Sequence, residues 1–106
     1  MSAIKVLLAD DHGVVRKGLR FLVEQEDDIT VVGEAGDGRE AVRMAKDLQP
    51  DVIVMDIAMP QLNGIDATAQ ALKASPNSGV LILSMHSDES YILRSLEAGA
   101  RGYILK

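Results

Sequence analysis

Five polar side chains able to carry chemistry directly follow four short apolar runs: Asp10, Asp11, Asp56, Ser84 and Lys106. Each run is rich in branched residues, as strands of a parallel sheet buried on both faces are. The carboxyl ends of such strands meet at one edge of the sheet, and neighbouring strands lie about 4.8 Å apart. We therefore expect the three carboxylates to lie within a few ångströms of one another.

Three carboxylates this close repel one another unless a cation compensates their charge. A pocket of carboxylate oxygens that stays partly hydrated suits a hard ion such as Mg²⁺, which takes few protein ligands and keeps several waters. We predict that Asp10, Asp11 and Asp56 hold Mg²⁺.

An ionised carboxylate beside Mg²⁺ is a competent nucleophile toward an activated phosphoryl group, and the product is an aspartyl phosphate. The transfer spreads negative charge over the phosphoryl oxygens, so positive charge and hydrogen-bond donors must lie close by. The ammonium of Lys106 and the hydroxyl of Ser84 offer both. With the cation present, Asp56 can stay ionised.

Strands and helices are predicted to alternate along the whole chain. The strongly apolar strands are predicted at residues 6–9, 52–55, 80–83 and 103–105, and a weaker edge strand at residues 30–35. The order βαβαβαβαβ indicates an α/β fold with a parallel sheet, right-handed crossovers and helices on both faces.

The segments between these strands carry apolar residues at helical spacing, which indicates one stripe per helix that packs on the sheet. The predicted stripes are Val15, Leu19 and Leu22; Val42, Ala45 and Leu48; Ile65, Ala69 and Leu72; Ile92 and Leu96.

Composition limits the class of protein. The chain has 106 residues, of which 47% are hydrophobic, so we expect one folded domain. Sixteen acidic and eleven basic residues give a net charge of -5, which disfavours DNA binding by this chain, and Arg16, Lys17 and Arg20 are interpreted as a solvated helix face. Without cysteine or a long apolar run, neither a disulfide framework nor a membrane span is expected, and a cytoplasmic location fits best.

Several motifs resemble the signature of response-regulator receiver domains, and the resemblance covers essentially the whole chain. They are Ala9-Asp10-Asp11, Val54-Met55-Asp56-Ile57-Ala58-Met59-Pro60, Asn63-Gly64, Leu83-Ser84 and Gly102-Tyr103-Ile104-Leu105-Lys106. Asp11-His12 and Gly99-Ala100-Arg101-Gly102-Tyr103 are similar to the LuxR/FixJ-like (NarL-like) subgroup, whose receivers usually precede a helix-turn-helix DNA-binding domain.

The resemblance implies a flavodoxin-like, three-layer fold with a five-stranded parallel sheet of order 2-1-3-4-5. It implies that Asp56 is the phosphoacceptor. Asp11 and Asp56 would be direct Mg²⁺ ligands together with the backbone carbonyl of Ala58, and Asp10 would act through a water.

The resemblance also implies the remaining roles. Ser84 and Lys106 would contact the phosphoryl oxygens, and Tyr103 would turn inward when Ser84 is drawn toward the phosphate. The phosphodonor would be a phosphohistidine on a sensor histidine kinase. Such a protein of two-component signalling catalyses only its own phosphorylation and its slow dephosphorylation, and reaches DNA through an output domain that this chain lacks.

One departure from the family concerns the end of the chain. Receivers continue past the lysine with a fifth helix, whereas this sequence stops at Lys106, so we expect residues 1–106 to form a receiver domain that is incomplete at its C-terminus. Either Leu81 and Leu83 or Val80 and Ile82 would then face an uncovered side of the sheet. A dimer or other oligomer is the expected consequence.

Two other classes of protein use similar residues. A Mg²⁺-dependent phosphohydrolase of the haloacid-dehalogenase type also has an aspartyl nucleophile after a strand, but its second Asp, the general acid, corresponds here to Ala58. A degenerate receiver acting only as an interaction module is disfavoured by the intact Asp11, Asp56, Ser84 and Lys106.

Two structural interpretations compete with single parts of this hypothesis. Asp11 taken alone could cap the following helix. The segment from Gly36 to Ala41 fits the pattern G-x-G-x-x-A of dinucleotide-binding turns, but it follows the weakest strand. We interpret Gly36 and Gly38 as residues that relieve backbone strain in a tight turn.

Overall fold

The predicted strands and helices are all present in the computed structural model, which describes residues 3–59, 62–84 and 89–105. In chain order they are β1 (Ile4–Ala9), α1 (Gly13–Val23), β2 (Ile29–Ala35), α2 (Gly38–Leu48), β3 (Val52–Asp56), α3 (Gly64–Ala74), β4 (Gly79–Ser84), α4 (Glu89–Glu97) and β5 (Gly102–Leu105). Lys106 lies outside the described residues.

The five strands form one parallel sheet of order β2-β1-β3-β4-β5, which confirms the flavodoxin-like fold. Ala9 pairs with Ala35 on one side and with Met55 on the other. Asp56 pairs with Leu83 of the next strand. This register brings the carboxyl ends of β1, β3 and β4 to one edge of the sheet.

The two faces of the sheet have separate cores. Leu7, Ile53 and Met55 belong to the larger core, together with Val80 and Ile82. The alanines of α2 and α3 and the partly buried Tyr91 of α4 pack against it. The smaller core contains Val6, Leu8 and Val31, against which Leu19 and Val23 of α1 pack. Successive side chains of β1 therefore point to opposite faces.

Strand β4 shows which residues face α1's side of the sheet. Val80 and Ile82 are fully buried beneath α2, α3 and α4. Leu81 and Leu83 are only partly buried, and Ile104, which pairs with Leu83, is exposed. Of the two predicted pairs, Leu81 and Leu83 are thus the ones on the less covered face.

Two predicted helix stripes are partly wrong. In α1, Leu19 packs on the sheet as predicted, but Val15 and Leu22 are exposed, and Val23 packs on the sheet in place of Leu22. Apolar residues stand at helical spacing on two neighbouring faces of α1, offset by one residue. The spacing alone therefore could not show which face packs on the sheet. In α4, Leu96 is exposed while the small polar Ser95 is buried.

Two glycines bring helices against the end of β3 and the segment that follows it. A Cβ at Gly38 would overlap the Leu62 carbonyl, and a Cβ at Gly64 would overlap the Asp56 carbonyl. The interpretation of Gly36 and Gly38 as strain-relieving is wrong, because in the described chain the glycine with positive φ is Gly99. Gly38 is needed for close packing.

Candidate functional site

Asp10 begins the site at the end of β1. Its side chain is only 2% exposed. Its backbone N–H donates to the Ala35 carbonyl at 3.0 Å, which extends the β1–β2 pairing by one residue. Its carboxylate Oδ1 accepts a hydrogen bond of 2.8 Å from the backbone N–H of His12. The Asp10 carboxylate is therefore held in a fixed direction.

His12 lies beside both neighbouring carboxylates. Its Nδ1 is 3.1 Å from Oδ1 of Asp10 and 3.1 Å from Oδ1 of Asp11. His12 is also the N-cap residue of α1, which has no side-chain capping hydrogen bond. Asp11 therefore does not cap this helix, and the interpretation of Asp11 as a cap is wrong.

Asp56 completes the cluster as the last residue of β3, with a side chain that is 4% exposed. One ligand atom from each of Asp10, Asp11, His12 and Asp56 lies within 4.8 Å of the others. The predicted meeting of the three carboxylates is confirmed. His12 was missed as a neighbour of the cluster, although it directly follows Asp11 in the sequence.

The β3–α3 loop is shaped by backbone hydrogen bonds next to Asp56. The Ile57 carbonyl accepts from the N–H groups of Met59 at 3.1 Å and Gly64 at 2.8 Å. The Asn63 side chain caps α3 by accepting from the N–H groups of Ile65 and Asp66. These contacts hold the start of α3 next to the residue that follows β3, and Ala58 is exposed there.

The other predicted site residues lie on β4 and β5. Ser84 is buried at the end of β4, directly after the residue that pairs with Asp56. Tyr103 pairs with Ile82 and packs against the larger core, on the side of α4. The predicted position of Lys106 follows β5, outside the described residues.

Arg16 reaches this site from α1. Its Nη1 donates to the Asp10 carbonyl at 2.6 Å, and its Nε donates to Glu34 Oε1 at 3.0 Å. The other oxygen of Glu34 accepts from Arg20 Nη1 at 2.6 Å. The interpretation of Arg16 as part of a solvated face is therefore wrong, because its side chain is partly buried and contacts both the Asp10 carbonyl after β1 and Glu34 of β2.

The same contacts shift two pKa values. The hydrogen bond from Arg20 is the main reason that the pKa of Glu34 lies below its ordinary value, and Arg16 adds to this effect. Hydrogen bonds to Glu34 and Glu24 raise the pKa of Arg20. Glu34 is therefore an ionised carboxylate that binds two guanidinium groups.

The donor set of the cluster fits a hard divalent cation. Three carboxylates supply oxygen ligands, and two of them are fixed on strand ends that the sheet register holds side by side. Mg²⁺ prefers oxygen ligands of this kind.

Among the described residues, no helix is both long enough and apolar enough to span a membrane.

Comparison with known proteins identifies the family. The response regulator receiver domain matches residues 6–106. The regulatory protein YhcZ of Bacillus subtilis is 45% identical over 103 residues, which are 97% of this chain and 48% of that protein. The oxygen regulatory protein NreC of Staphylococcus carnosus is 43% identical over 104 residues, 97% of this chain and 48% of that protein. The chain thus spans about half the length of these relatives.

Solved structures agree with the sequence comparison. A LuxR-family response regulator from Aurantimonas superposes with a TM-score of 0.93 at 39% identity, covering 99% of this chain and 75% of the other. The receiver domain of the regulator NarL from Mycobacterium tuberculosis gives a TM-score of 0.93 at 31% identity, covering 99% of this chain and 85% of the other. The chain belongs to the response regulator receiver domains, and it is similar to the receivers of regulators of the LuxR/NarL-like group.

Proposed function

We propose that Asp56 accepts a phosphoryl group in a Mg²⁺-dependent reaction, and that the resulting change of shape controls transcription through a helix-turn-helix DNA-binding domain of the whole protein. The observation that supports this most directly is the assembly of Asp10, Asp11 and Asp56 within 4.8 Å at one edge of the sheet. That the domain spanned by residues 1–106 is incomplete stays a prediction.

The phosphoryl group would come from a phosphohistidine of a sensor histidine kinase. A carboxylate oxygen of Asp56 attacks phosphorus, the bond from phosphorus to the imidazole nitrogen breaks, and that nitrogen keeps the electron pair. Asp56 can serve as nucleophile because its backbone is fixed by pairing with Leu83 and its carboxylate lies at the end of β3, beside those of Asp10 and Asp11.

The cation would be held by the carboxylates of Asp11 and Asp56 and by the backbone carbonyl of Ala58, with Asp10 acting through a water. Mg²⁺ would supply positive charge to the phosphoryl oxygens. The repulsion among the three carboxylates is the physical reason that the pocket favours a cation. A cytoplasmic location and a sensor histidine kinase as partner are both consistent with the receiver family.

Ser84 and Lys106 would contact the transferred phosphoryl group. The position of Ser84 supports this role, because it follows the residue that pairs with Asp56 on the adjoining strand. Movement of the Ser84 hydroxyl toward the phosphate would free space into which Tyr103 turns, and the outer face of β5 would change with it.

A phosphohydrolase is the weaker candidate. Its general acid would stand two residues after Asp56, where this chain has Ala58, whose methyl group cannot transfer a proton. The protein would therefore form a long-lived phosphoryl signal and catalyse only its own phosphorylation and dephosphorylation. A module that acts by binding alone would not require the clustered carboxylates.

Intact-mass spectrometry tests the proposal. The chain is incubated with acetyl phosphate or phosphoramidate, with Mg²⁺ and with a chelator. We expect one added phosphoryl group in the presence of Mg²⁺ and none for Asp56→Asn, because a neutral amide is a poor nucleophile. Equal labelling of Asp56→Asn and wild type would refute the assignment of the phosphoacceptor.

A further inference from the structure

We infer that Arg16 is a positioning residue that fixes the Asp10–Asp11 peptide and thereby orients the Asp11 carboxylate for the cation. This inference rests on the proposed function, because it concerns the same Mg²⁺ site. Arg16 lies six residues after Asp10, on the first turn of α1, and its guanidinium donates to the Asp10 carbonyl at 2.6 Å.

The Asp10 backbone is held from both sides. Its N–H donates to the Ala35 carbonyl at 3.0 Å, and its carbonyl accepts from Arg16. The Asp10 carbonyl and the Asp11 N–H belong to one planar peptide unit, so fixing the carbonyl also fixes the direction in which the chain enters Asp11. Asp11 lies after the last residue of β1 and is exposed. The hydrogen bond from Arg16 to the Asp10 carbonyl therefore takes the place of the strand-pairing hydrogen bonds that hold residues within β1.

Arg16 is in turn anchored by Glu34 of β2. Glu34 Oε1 accepts from Arg16 Nε at 3.0 Å, and both side chains are partly buried. The Glu34 carboxylate thus holds the Arg16 guanidinium next to the Asp10 carbonyl at the end of β1. Because two of its nitrogens are engaged at once, the guanidinium has a defined orientation that a flexible ammonium would lack.

Arg20 provides a natural comparison. It binds the other oxygen of Glu34 and also Glu24, one turn further along α1. Its guanidinium thus donates to two carboxylates, whereas that of Arg16 donates to a carboxylate and to the Asp10 carbonyl. Substitution of Arg20 therefore removes the same charge and the same type of ion pair without removing the contact to the site.

The test compares Arg16→Gln, Arg16→Lys and Arg20→Gln. Isothermal titration calorimetry measures Mg²⁺ affinity, and labelling by acetyl phosphate at varied Mg²⁺ gives the half-saturating concentration and the maximal rate. We expect Arg16→Gln to weaken Mg²⁺ binding about tenfold, as is typical for a residue that orients a metal ligand. The maximal rate at saturating Mg²⁺ should stay within about twofold of wild type, since Asp56 itself is unchanged.

Arg16→Lys keeps the charge but has one donor nitrogen in place of two, so we expect an affinity between those of Arg16→Gln and wild type. Arg20→Gln should change the affinity by less than about twofold, because its effect is only that of a screened surface charge. Asp11→Ala removes a proposed direct ligand, so it shows how far the Mg²⁺ affinity falls when a ligand is lost completely. Far-ultraviolet circular dichroism verifies that each variant is folded, and Arg16→Lys carries the test if Arg16→Gln does not fold.

Two results would overturn the inference. One is an Mg²⁺ affinity of both Arg16 variants equal to that of wild type, and the other is an equal loss in Arg16→Gln and Arg20→Gln. Failure of the proposed function looks different, because wild type itself would then show no Mg²⁺-dependent labelling.

Discussion

Single residues decide how closely the α3 helix approaches the candidate phosphoacceptor. Gly64 begins α3, and a methyl group there would overlap the carbonyl of Asp56. Its N–H also donates to the Ile57 carbonyl at 2.8 Å. Gly64 therefore holds the helix start directly against the backbone that carries the Asp56 side chain.

We expect Gly64→Ala to lower the free energy of unfolding by about 3 kcal/mol, because the new methyl group overlaps backbone atoms that cannot move without displacing β3. Chemical denaturation measures this change. Labelling by acetyl phosphate should fall in the same variant, since Asp56 shifts with its carbonyl.

Gly18→Ala is the matched control for that prediction. Gly18 lies inside α1, and a Cβ added there would meet nothing within 4 Å. We therefore expect this substitution to raise the free energy of unfolding by about 0.5–1 kcal/mol through helix propensity. The explanation from steric overlap is wrong if Gly64→Ala proves as stable as wild type.

The site could be predicted from sequence only where a residue's place follows from strand order. Asp10, Asp11 and Asp56 could be found in this way, because each directly follows a recognisable buried strand. Arg16 could not, because its partner is a backbone carbonyl, and any residue type at that position has one. The roles of Ser84 and Tyr103 stay predictions.

Secondary-structure elements were predicted well in number and order, and less well in their rotation. Four of the five strands carry short, continuous apolar runs rich in branched residues, which is typical of buried strands. In α1, exposed apolar residues stand next to the partly buried ones, so the sequence fitted two orientations of the helix. The ion pairs of Arg16 and Arg20 with Glu34 lie on one side of α1 and are satisfied in the orientation that the structure shows.

These ion pairs predict an acid-dependent loss of stability. The pKa of Glu34 in the folded chain lies below its ordinary value of 4.5, chiefly because of the hydrogen bond from Arg20. A depressed pKa stabilises the folded state above the ordinary value, and this stabilisation is lost as the pH falls through the folded pKa. We therefore expect wild type to have a higher free energy of unfolding than Glu34→Gln. This difference should be constant near neutral pH and should shrink below about pH 4.5.

Urea unfolding of both proteins from pH 7 to pH 3, at low protein concentration, measures this difference. The comparison isolates Glu34, because the two proteins differ at that residue alone. An advantage that stays the same across the whole range would show that ionised Glu34 does not hold α1 to β2.

The whole molecule covers the two faces of its sheet unequally. Helices α2, α3 and α4 pack over the larger core, whereas α1 is the helix that packs on the other face within the described part of the chain. Leu81 and Leu83 are partly buried on that face, and Ile104 is 48% exposed beside them. These three residues form an apolar strip on the two last strands of the sheet.

We expect the 106-residue chain to self-associate through this strip, because contiguous apolar surface on a small domain favours association. Sedimentation equilibrium of wild type and of Ile104→Arg measures the effect. The substitution should shift the protein toward monomer by at least about tenfold in the dissociation constant, since burying an unpaired guanidinium in the interface opposes association.

Leu93→Arg is the matched control, because Leu93 is similarly exposed at 57% but lies on α4, against the other face. Leu93→Arg should associate with the same dissociation constant as wild type. A monomeric wild type that also binds little hydrophobic dye would show that the strip does not drive assembly, and loss of association in Leu93→Arg alone would place the contact on α4 instead.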